Sequence, residues 1–274
     1  MEAPLLSKLY VPAKSPLHAL IVQLAPQSVY WTFEETTGGF VDKVRGLVLP
    51  RGTVVSGAGL IGDSLNFSNP SQTTAFVLNT NPPVLTLGST SGISMWFWVK
   101  IRIDSAPSSP ITGLGTGVFA VSNAAPNNFL TFSVSLATTA TDISCNFGDG
   151  SGDGYMDYQL PYAPLLAGQW IFVCAVWDKA ATSLILYLNG VAVATNSFAG
   201  PPVISHSFSG GSLSDGLFWP YLVGETTGFG ATGLVSVDEL GLCLNKALNA
   251  DGVAALYNGG NGLTWPDVKP FLLS

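Results

Sequence analysis

The dipeptide Asn189-Gly190 stands between two apolar runs, Leu184–Leu188 and Val191–Val193. A two-residue type I′ turn needs positive φ at both central positions, and Asn followed by Gly satisfies this requirement best. The sequence therefore predicts two antiparallel strands joined by a tight turn. Strands do not alternate with long helical segments in this chain, so a parallel sheet is disfavoured.

From Val29 onward, short segments rich in β-branched and aromatic residues are separated by Gly, Pro, Asn and Asp. Within one of them, Thr131, Ser133 and Ser135 alternate with apolar residues, and this period of two indicates a strand with one wet and one dry face. We therefore predict an all-β, antiparallel fold. The predicted strands are Val29–Phe33, Ser64–Phe67, Thr74–Leu78, Ile93–Ile103, Val118–Val121, Phe129–Leu136, Ile143–Phe147, Gln169–Trp177, Ser183–Asn189, Val191–Thr195, Leu217–Val223 and Leu234–Leu244.

One short helix is predicted near the C-terminal end of the chain. Asn249 can cap its first turn, Asp251 suits the positive end of the helix dipole, and Gly259 can end it. Gly252 weakens an isolated helix, so this one is expected to depend on packing against the sandwich. The side chains expected to pack are Val253, Leu256 and Tyr257.

Residues 1–28 are predicted to form an apolar arm, and residues 29–274 a single domain. Four prolines within the arm exclude a helix or a central strand; they are Pro4, Pro12, Pro16 and Pro26. The arm is too apolar for a free tail. It either lies along the domain's own sheet or docks on a neighbouring subunit, and the sequence leaves both alternatives open.

Charge is scarce along the chain. Charged residues make up 10% of the sequence, against about 25% in an ordinary soluble protein. A chain so poor in charge is expected to bury apolar surface against partners, as obligate interfaces do. The net charge of −7 and the scattered Lys and Arg predict no nucleic-acid binding, and no uncharged apolar run is long enough to predict a membrane span.

The three cysteines, Cys145, Cys174 and Cys243, show no metal-binding or redox spacing. Cys174 and Cys243 lie in apolar strand patterns. We therefore interpret them as buried thiols, which are typical of synthesis in a reducing compartment.

Six segments follow one another in an order that matches a known family. They are Tyr30–Glu35, the G-x-x-L-x-F segment Gly62–Phe67, the doubled-Trp strand Ile93–Val99, Gln169–Val173 with the L-Y-φ-N-G turn Leu186–Gly190, the φ-D-E-φ segment Val237–Leu240, and Leu248–Gly260. This series resembles the laminin-G-like domains of the concanavalin A-like lectin and glucanase family, including those in bacteriophage virion proteins. The resemblance covers residues 29–265 and implies a two-sheet antiparallel jelly-roll sandwich with one short C-terminal helix. Its relatives mostly bind glycans or proteins and some are enzymes, so the fold does not decide the function.

Catalytic chemistry finds little support in the sequence. Glycoside hydrolysis needs two carboxyl groups flanking the sugar bond, and hydrolases of the resembled fold carry two Glu four or five residues apart on one strand. No pair has that spacing among Glu2, Glu34, Glu35, Glu225 and Glu239. No G-x-S-x-G nucleophile elbow is present either. We therefore predict no catalytic residue and no enzymatic activity.

The segment Asp149–Asp157 copies the first half of an EF-hand calcium loop. Oxygen-bearing residues occupy positions 1, 3, 5 and 9 of such a loop, with Gly at position 6; they are Asp149, Ser151, Asp153 and Asp157. Position 12 is Leu160, where the bidentate Glu belongs. The segment is either a weak calcium site or a glycine-rich hairpin tip whose acids face water, and we favour the hairpin tip.

The resemblance implies a second metal candidate, Asp238, because many domains of this fold hold a structural calcium near that strand with carbonyls from the opening turns. The alternative is an Asp that binds backbone amides at the rim of the sheet. No cofactor is predicted to be required, and calcium is the one candidate.

Aromatic side chains beside polar groups are the usual sugar platforms. Several of the five strand tryptophans are expected to be core; the five are Trp31, Trp96, Trp98, Trp170 and Trp177. Aromatics expected in loops are better ligand candidates, namely Tyr155, Tyr158, Trp219 and Tyr221. The segment 205–221 looks like an inserted loop and adds His206 and Asp215. Long inserted loops are often functional, although this one could equally close the end of the sandwich.

These observations favour a non-catalytic structural and interaction protein of a large assembly. A virion component fits best, such as a phage tail, fibre or capsid-decorating protein whose lectin-like domain contacts host glycans. Its partners would be other virion proteins or further copies of itself, bound through residues 1–28. The alternative is a free carbohydrate-binding module at a cell surface or secreted, and a divergent glycan-cleaving enzyme is a third hypothesis.

Overall fold

Antiparallel β-strands dominate the computed structural model. It describes residues 29–44, 46, 48–49, 51, 55–67, 76–77, 91–102, 115–117, 119–122, 128–136, 140–147, 154–161, 168–197, 216–219, 221–223, 234–244, 246–264 and 267. The predicted arm, residues 1–28, lies outside them. No helix in these segments has the length and apolar character to cross a membrane.

The strands, in chain order, are β1 (Val29–Trp31), β2 (Phe40–Val41), β3 (Val48–Leu49), β4 (Val55–Ala58), β5 (Asp63–Phe67), β6 (Phe76–Val77), β7 (Gly92–Arg102), β8 (Gly115–Gly117), β9 (Phe119–Ser122), β10 (Asn128–Leu136), β11 (Ala140–Phe147), β12 (Gly154–Pro161), β13 (Trp170–Asp178), β14 (Ser183–Leu188), β15 (Val191–Ser197), β16 (Gly216–Trp219), β17 (Tyr221–Val223) and β18 (Leu234–Leu244). The helix α1 spans Ala250–Tyr257, and a 3-10 turn follows at Asn258–Gly260.

Two antiparallel sheets form the layers of a jelly-roll sandwich. The larger sheet has the order β15-β14-β13-β7-β18-β5-β4, with β1 also paired to β18. The second sheet has the order β12-β11-β10-β9-β16-β6. The pairs β2–β3 and β8–β17 are separate ribbons. The predicted all-β class, the two-sheet sandwich and the short C-terminal helix are confirmed.

The predicted hairpin is present at Asn189-Gly190. Both residues have positive φ, 49° and 78°, as a type I′ turn demands. Asn189 also ties the turn to the neighbouring strand, because its backbone N–H donates to the Phe172 carbonyl oxygen and its Oδ1 accepts from the Phe172 N–H, both at 2.9 Å. The residue thus sets the turn and fixes it to β13.

The central strands of the larger sheet are buried on both faces. In β7, Met95 and Phe97 lie on one face and Trp96 and Trp98 on the other, and all four are at most 2% exposed. The first face is continuous with the sandwich interior. The second lies under the C-terminal segment, where Leu248, Val253 and Leu256 complete a hydrophobic cluster. Strands covered on both faces lose the period-two pattern.

Helix α1 closes this second face. Asn249 caps it as predicted, because its Oδ1 accepts from the Gly252 N–H at 2.9 Å. The helix ends one residue earlier than predicted: Asn258, not Gly259, adopts the first left-handed position with φ 48°, a conformation that Asn tolerates. The Tyr257 ring stacks on Trp98, with centroids 5.7 Å apart and planes at 24°.

The predicted core tryptophans are confirmed for four of the five positions. Trp31, Trp96, Trp98 and Trp177 are at most 2% exposed. Trp170 is half-buried, with the Lys100 ammonium 4.7 Å from the centre of its ring. The buried-thiol interpretation is confirmed for Cys174 and Cys243, which are buried thiols.

Two sequence predictions of strand boundaries were wrong. Leu217–Val223 is not one strand but two, β16 and β17, which belong to different sheets. Pro220 stands between them, and a proline cannot donate to a ladder. The segment Gly154–Pro161, expected in a loop, is the eight-residue strand β12.

Candidate functional site

The aromatic ligand candidates lie in strands rather than in loops. Tyr155 and Tyr158 belong to β12, Trp219 to β16 and Tyr221 to β17. The loop prediction was therefore wrong for Tyr155 and Tyr158. The physical reason is that aromatic residues favour the pleated, half-buried surface of a sheet, and here pairing overrides the flanking glycines. Trp219 and Tyr221 lie within Leu217–Val223, a segment that the strand pattern also predicts as β.

The register of β10, β11 and β12 brings a set of polar residues into three cross-strand rows. The rows are Thr131–Asn146–Tyr155, Ser133–Ser144–Asp157 and Ser135–Asp142–Gln159. Residues paired directly across antiparallel strands share one face of a sheet, and so do alternate residues along each strand. We name this nine-residue set the polar face. It contains hydroxyl, amide, carboxyl and phenol groups, with no Lys or Arg.

The intervening residues of the same three strands are mainly apolar. Two of their rows are Phe132–Cys145–Met156 and Val134–Ile143–Tyr158. Tyr158, which is half-buried, therefore belongs to the face opposite Tyr155. The alternation of polar and apolar residues predicted for β10 therefore continues in register across β11 and β12.

Register also places Trp219 away from the polar face. Thr131 pairs with Ala120, and Ala120 pairs with Phe218. Phe218 therefore lies on the same side of the sheet as the polar face, although it is not one of its nine residues. Trp219, one residue further on, belongs to the apolar face with Leu217. A Trp in that row is expected to contribute to the core rather than to a sugar platform.

The four predicted ligand residues that the structure describes, Tyr155, Tyr158, Trp219 and Tyr221, are not brought together. Strands β11, β10 and β9 separate β12 from β16, and four inter-strand steps of about 4.8 Å place Tyr155 about 19 Å from the strand of Trp219. Tyr221 pairs with Gly117 in a separate ribbon. His206 and Asp215 lie outside the described residues, so their role stays a prediction.

One relationship on the polar face could not be obtained from the sequence. Asp142 pairs with Gln159, and Asp157 pairs with Ser144, so the two acids are diagonal neighbours on adjacent strands. Such positions are about 7–8 Å apart in the backbone. The spacing of residues along one strand cannot indicate this pair, because the two Asp residues lie on different strands and only the register brings them together.

The calcium-loop pattern is interrupted by the start of β12. Gly154 pairs with Phe147 and Asp157 with Ser144, so positions six to nine of the pattern are extended strand instead of a continuing wrap. Asp149, Ser151 and Asp153 lie outside the described residues. The pairing agrees with the favoured hairpin interpretation, and calcium binding by those three residues stays a prediction.

Asp238 is fully buried in β18, and peptide N–H groups surround its carboxyl group. Oδ2 accepts from the N–H groups of Leu60 and Ile61, at 2.9 and 3.1 Å. Oδ1 accepts from the Glu239 N–H at 2.9 Å. Burial raises the pKa of Asp238 to about 7, although these three hydrogen bonds act in the opposite direction.

Glu239 follows in a β-bulge, where the register between β18 and β7 shifts after Asp238. Its φ of 50° is uncommon for a residue with a side chain. The bulge directs the buried Glu239 carboxyl group to the Tyr30 hydroxyl, which donates a hydrogen bond to it. Burial, followed by the charge of Asp238, raises the pKa of Glu239 well above its usual range, and burial likewise raises the pKa of Tyr30.

The surroundings of Asp238 do not fit the calcium ligand that the family resemblance implies. Calcium is coordinated by oxygens. The turn between β4 and β5, which we name the opening turn, instead presents the N–H groups of Leu60 and Ile61 to this carboxyl group. Across the described segments, no group of three or more His, Cys, Asp or Glu side chains is arranged to hold a metal ion. Of the two interpretations of Asp238, the geometry favours the amide-bound one.

Comparison with solved structures gives the same architecture. The binding domain of Paraclostridial Mosquitocidal Protein 1 aligns with a TM-score of 0.58 at 14% identity, over 86% of this chain and 53% of that one. The binding domain of botulinum neurotoxin DC in complex with rat synaptotagmin II aligns with a TM-score of 0.57 at 13% identity, over 86% and 52%. A structure of botulinum neurotoxin type C aligns with a TM-score of 0.58 at 14% identity, over 90% of this chain and 53% of that one. Cell entry of that neurotoxin is described as dependent on interaction with two ganglioside molecules.

This chain therefore spans about half the length of these neighbours, and at such low identity the likeness concerns the fold alone. No curated protein matches the sequence. The family described as the concanavalin A-like lectin/glucanases superfamily matches residues 71–226, which is more than half of the chain. Together with the jelly-roll layers, this match establishes the family: the chain belongs to the concanavalin A-like lectin/glucanases superfamily.

Proposed function

We propose that this protein is a non-catalytic binding module of a large assembly, a virion component such as a phage tail, fibre or capsid-decorating protein, and that its polar face contacts host glycans. The observation that carries the glycan part is the register of β10, β11 and β12, which gathers nine polar residues on one face of the second sheet.

The composition of the polar face suits a neutral, polyhydroxyl ligand. Sugar hydroxyls both donate and accept hydrogen bonds, and Ser, Thr and Asn side chains complement them. Tyr155 supplies an aromatic ring of the kind on which sugar rings stack, and its hydroxyl can remain hydrogen-bonded. Asp142 and Asp157 are the two acidic residues of the face, and its nine residues include no Lys or Arg. A neutral glycan is therefore favoured over a phosphorylated or sulfated one.

Charge scarcity supports the assembly part of the proposal. Only 10% of the residues are charged, and residues 1–28 combine apolar side chains with four prolines. Extended apolar segments that cannot form helices are suited to docking along a neighbour's sheet or groove. The structural neighbours named above are binding domains of larger proteins, which also supports a role in attachment.

Glycan binding is tested by a glycan array with the intact protein and two matched tyrosine variants. Tyr155→Ala alters the polar face, whereas Tyr158→Ala makes the same change three residues away on the opposite face. We expect binding of one or more neutral glycans, with affinity reduced about tenfold or more in Tyr155→Ala, since an aromatic contact contributes on the order of 1–2 kcal/mol. Tyr158→Ala should bind normally wherever circular dichroism shows it folded.

Absence of binding to every glycan would remove the lectin part of the proposal. Equal loss of affinity in both variants would place the site elsewhere, with the 205–221 segment and its His206 and Asp215 as the remaining prediction.

The non-catalytic part has its sharpest test at Asp142 and Asp157. Their backbone positions are diagonal neighbours, about 7–8 Å apart, which is close enough for two carboxyl groups to reach the separations of about 5–9.5 Å that glycosidases use. We expect no release of reducing sugar from bound glycans by the intact protein. Turnover that disappears in both Asp142→Asn and Asp157→Asn would make the protein a hydrolase.

A further inference from the structure

We propose that this domain holds its opening turn in place without calcium. The family resemblance implies a calcium ion that would join this turn to Asp238, and here the Asp238 side chain instead accepts hydrogen bonds directly from the peptide N–H groups of the turn. The inference is independent of the proposed function. It rests on the hydrogen bonds of three carboxyl groups around the first strand.

The turn between β4 and β5 directs two backbone N–H groups toward a single hydrogen-bond acceptor. Gly59 donates its N–H to the Gly62 carbonyl oxygen at 2.9 Å, which closes the turn. The next two N–H groups, of Leu60 and Ile61, both reach Asp238 Oδ2. Successive backbone N–H groups that converge on one point form a concavity that attracts anions. The same partial positive charges oppose a divalent cation at that point.

The backbone of the turn approaches the carboxyl group as closely as glycine permits. A Cβ atom on Gly59 would lie 2.6 Å from Asp238 Oδ2 and 2.6 Å from the Asp63 carbonyl oxygen. Both distances are far below van der Waals contact. A side chain at position 59 would therefore separate the turn from Asp238, whereas glycine allows direct hydrogen bonds with no ion between them.

Two further carboxyl groups near the first strand are engaged in the same way. Glu34 Oε2 accepts from the Asp63 N–H at 3.1 Å. Asp42 Oδ1 accepts from the N–H groups of Tyr30 and Val44, at 2.6 and 3.1 Å. Glu34, Asp42 and Asp238 thus all accept from peptide N–H groups, whereas Glu239 accepts from the Tyr30 hydroxyl. A calcium site would need these oxygens turned toward a shared ion.

The test measures thermal unfolding of the full chain in calcium chloride and in EGTA, together with calorimetric calcium titration. We expect the melting temperatures in the two conditions to agree within about 1 °C. Asp238→Asn should lower the melting temperature by about 5–10 °C equally in both, because the Asn NH2 group cannot accept a hydrogen bond and leaves a buried peptide N–H group without an acceptor. Each kcal/mol corresponds to about 2–4 °C at this size. Asp251→Asn, at an exposed helix position, is the matched control.

A second variant separates this site from the Asp149–Asp157 segment. If calcium raises the melting temperature of the intact protein and Asp149→Asn/Asp153→Asn abolishes the rise, calcium acts at that segment and the proposal stands. If the rise persists in that double variant, calcium acts elsewhere in the domain and the proposal is overturned. Both outcomes are measurable even if Asp238→Asn fails to fold.

Discussion

Tyr30 and Glu239, which are 209 residues apart in sequence, meet in the buried layer beneath helix α1, where the Tyr30 hydroxyl donates to the Glu239 carboxyl group. Tyr30 lies in the first strand of the domain and Glu239 in the last. Their hydrogen bond therefore links the beginning of the described fold to its end.

Removal of this hydrogen bond should destabilise the domain. Tyr30→Phe leaves a buried carboxyl group without its donor, and we expect the free energy of unfolding to fall by about 2–3 kcal/mol. Chemical denaturation measures the change, with Tyr257→Phe as a control that removes the hydroxyl of the half-buried tyrosine at the end of the helix. Equal stability of Tyr30→Phe and the intact protein would show that the hydrogen bond makes no net contribution to the free energy of unfolding.

Stability should fall as the pH rises from about 4 to about 7. The pKa of Asp238 is raised to about 7 by burial, so between its unfolded pKa of about 3.9 and its folded value the folded state binds more protons than the unfolded state. The contribution is fully present below about pH 4 and is lost as the pH passes through about 7. Between pH 5 and 7 it amounts to about 3 kcal/mol.

Urea unfolding across this range provides the measurement, and Asp238→Asn provides the reference for all other titrating groups. The dependence of stability on pH should be weaker in the variant by about that amount. Identical slopes for the two proteins would mean that Asp238 titrates as it does in the unfolded chain.

Gly241→Ala should be strongly destabilising. A Cβ atom at this position would lie 2.0 Å from Trp96 Cζ2, and Trp96 is 2% exposed, so the ring has no room to move. We expect a loss of about 3 kcal/mol or more, at the upper end of overpacking costs. In Gly252→Ala the nearest atom is 3.3 Å away, and helix propensity favours Ala by about 1 kcal/mol. Gly252→Ala should therefore be as stable as the intact protein or slightly more so. Similar losses of unfolding free energy in Gly241→Ala and Gly252→Ala would contradict the expected clash with Trp96.

Charges in the N-terminal arm should impair assembly without unfolding the domain. Leu5→Asp, Leu6→Asp and Leu9→Asp in one chain introduce three charges into an apolar docking segment, and buried unpaired charges are strongly unfavourable at interfaces. Light scattering should show loss of oligomers or of partner binding, while the melting temperature changes little. An unchanged mass together with a lower melting temperature would instead indicate that the arm lies along its own domain.

The sequence predicted those parts of the fold that depend on local chemistry. Asn189-Gly190 predicted the hairpin because positive φ is a property of those two residues, and Asn249 predicted the start of the helix because capping is equally local. The second hydrogen-bonding role of Asn189, toward Phe172, depends on a strand 17 residues away and could not be deduced.

The candidate site was less predictable because its features depend on register. Tyr155 and Asp157 were identified, but as members of a loop and a metal pattern, and only pairing with Asn146 and Ser144 places them on one face. For Asp238, the sequence offered a calcium ligand or an amide-bound acid. The decisive partners, Leu60 and Ile61, lie 178 and 177 residues away and contribute backbone groups, which no residue type reveals.

The stacking of Tyr257 on Trp98 makes the two layers of the sandwich different, because it holds helix α1 against one of them. Helix α1 occupies the exterior of the larger sheet, so a neighbouring molecule that approaches from that direction meets the helix before it meets any strand. The nine polar residues lie on the other layer of the sandwich. A partner bound over the helix would therefore leave these nine residues uncovered.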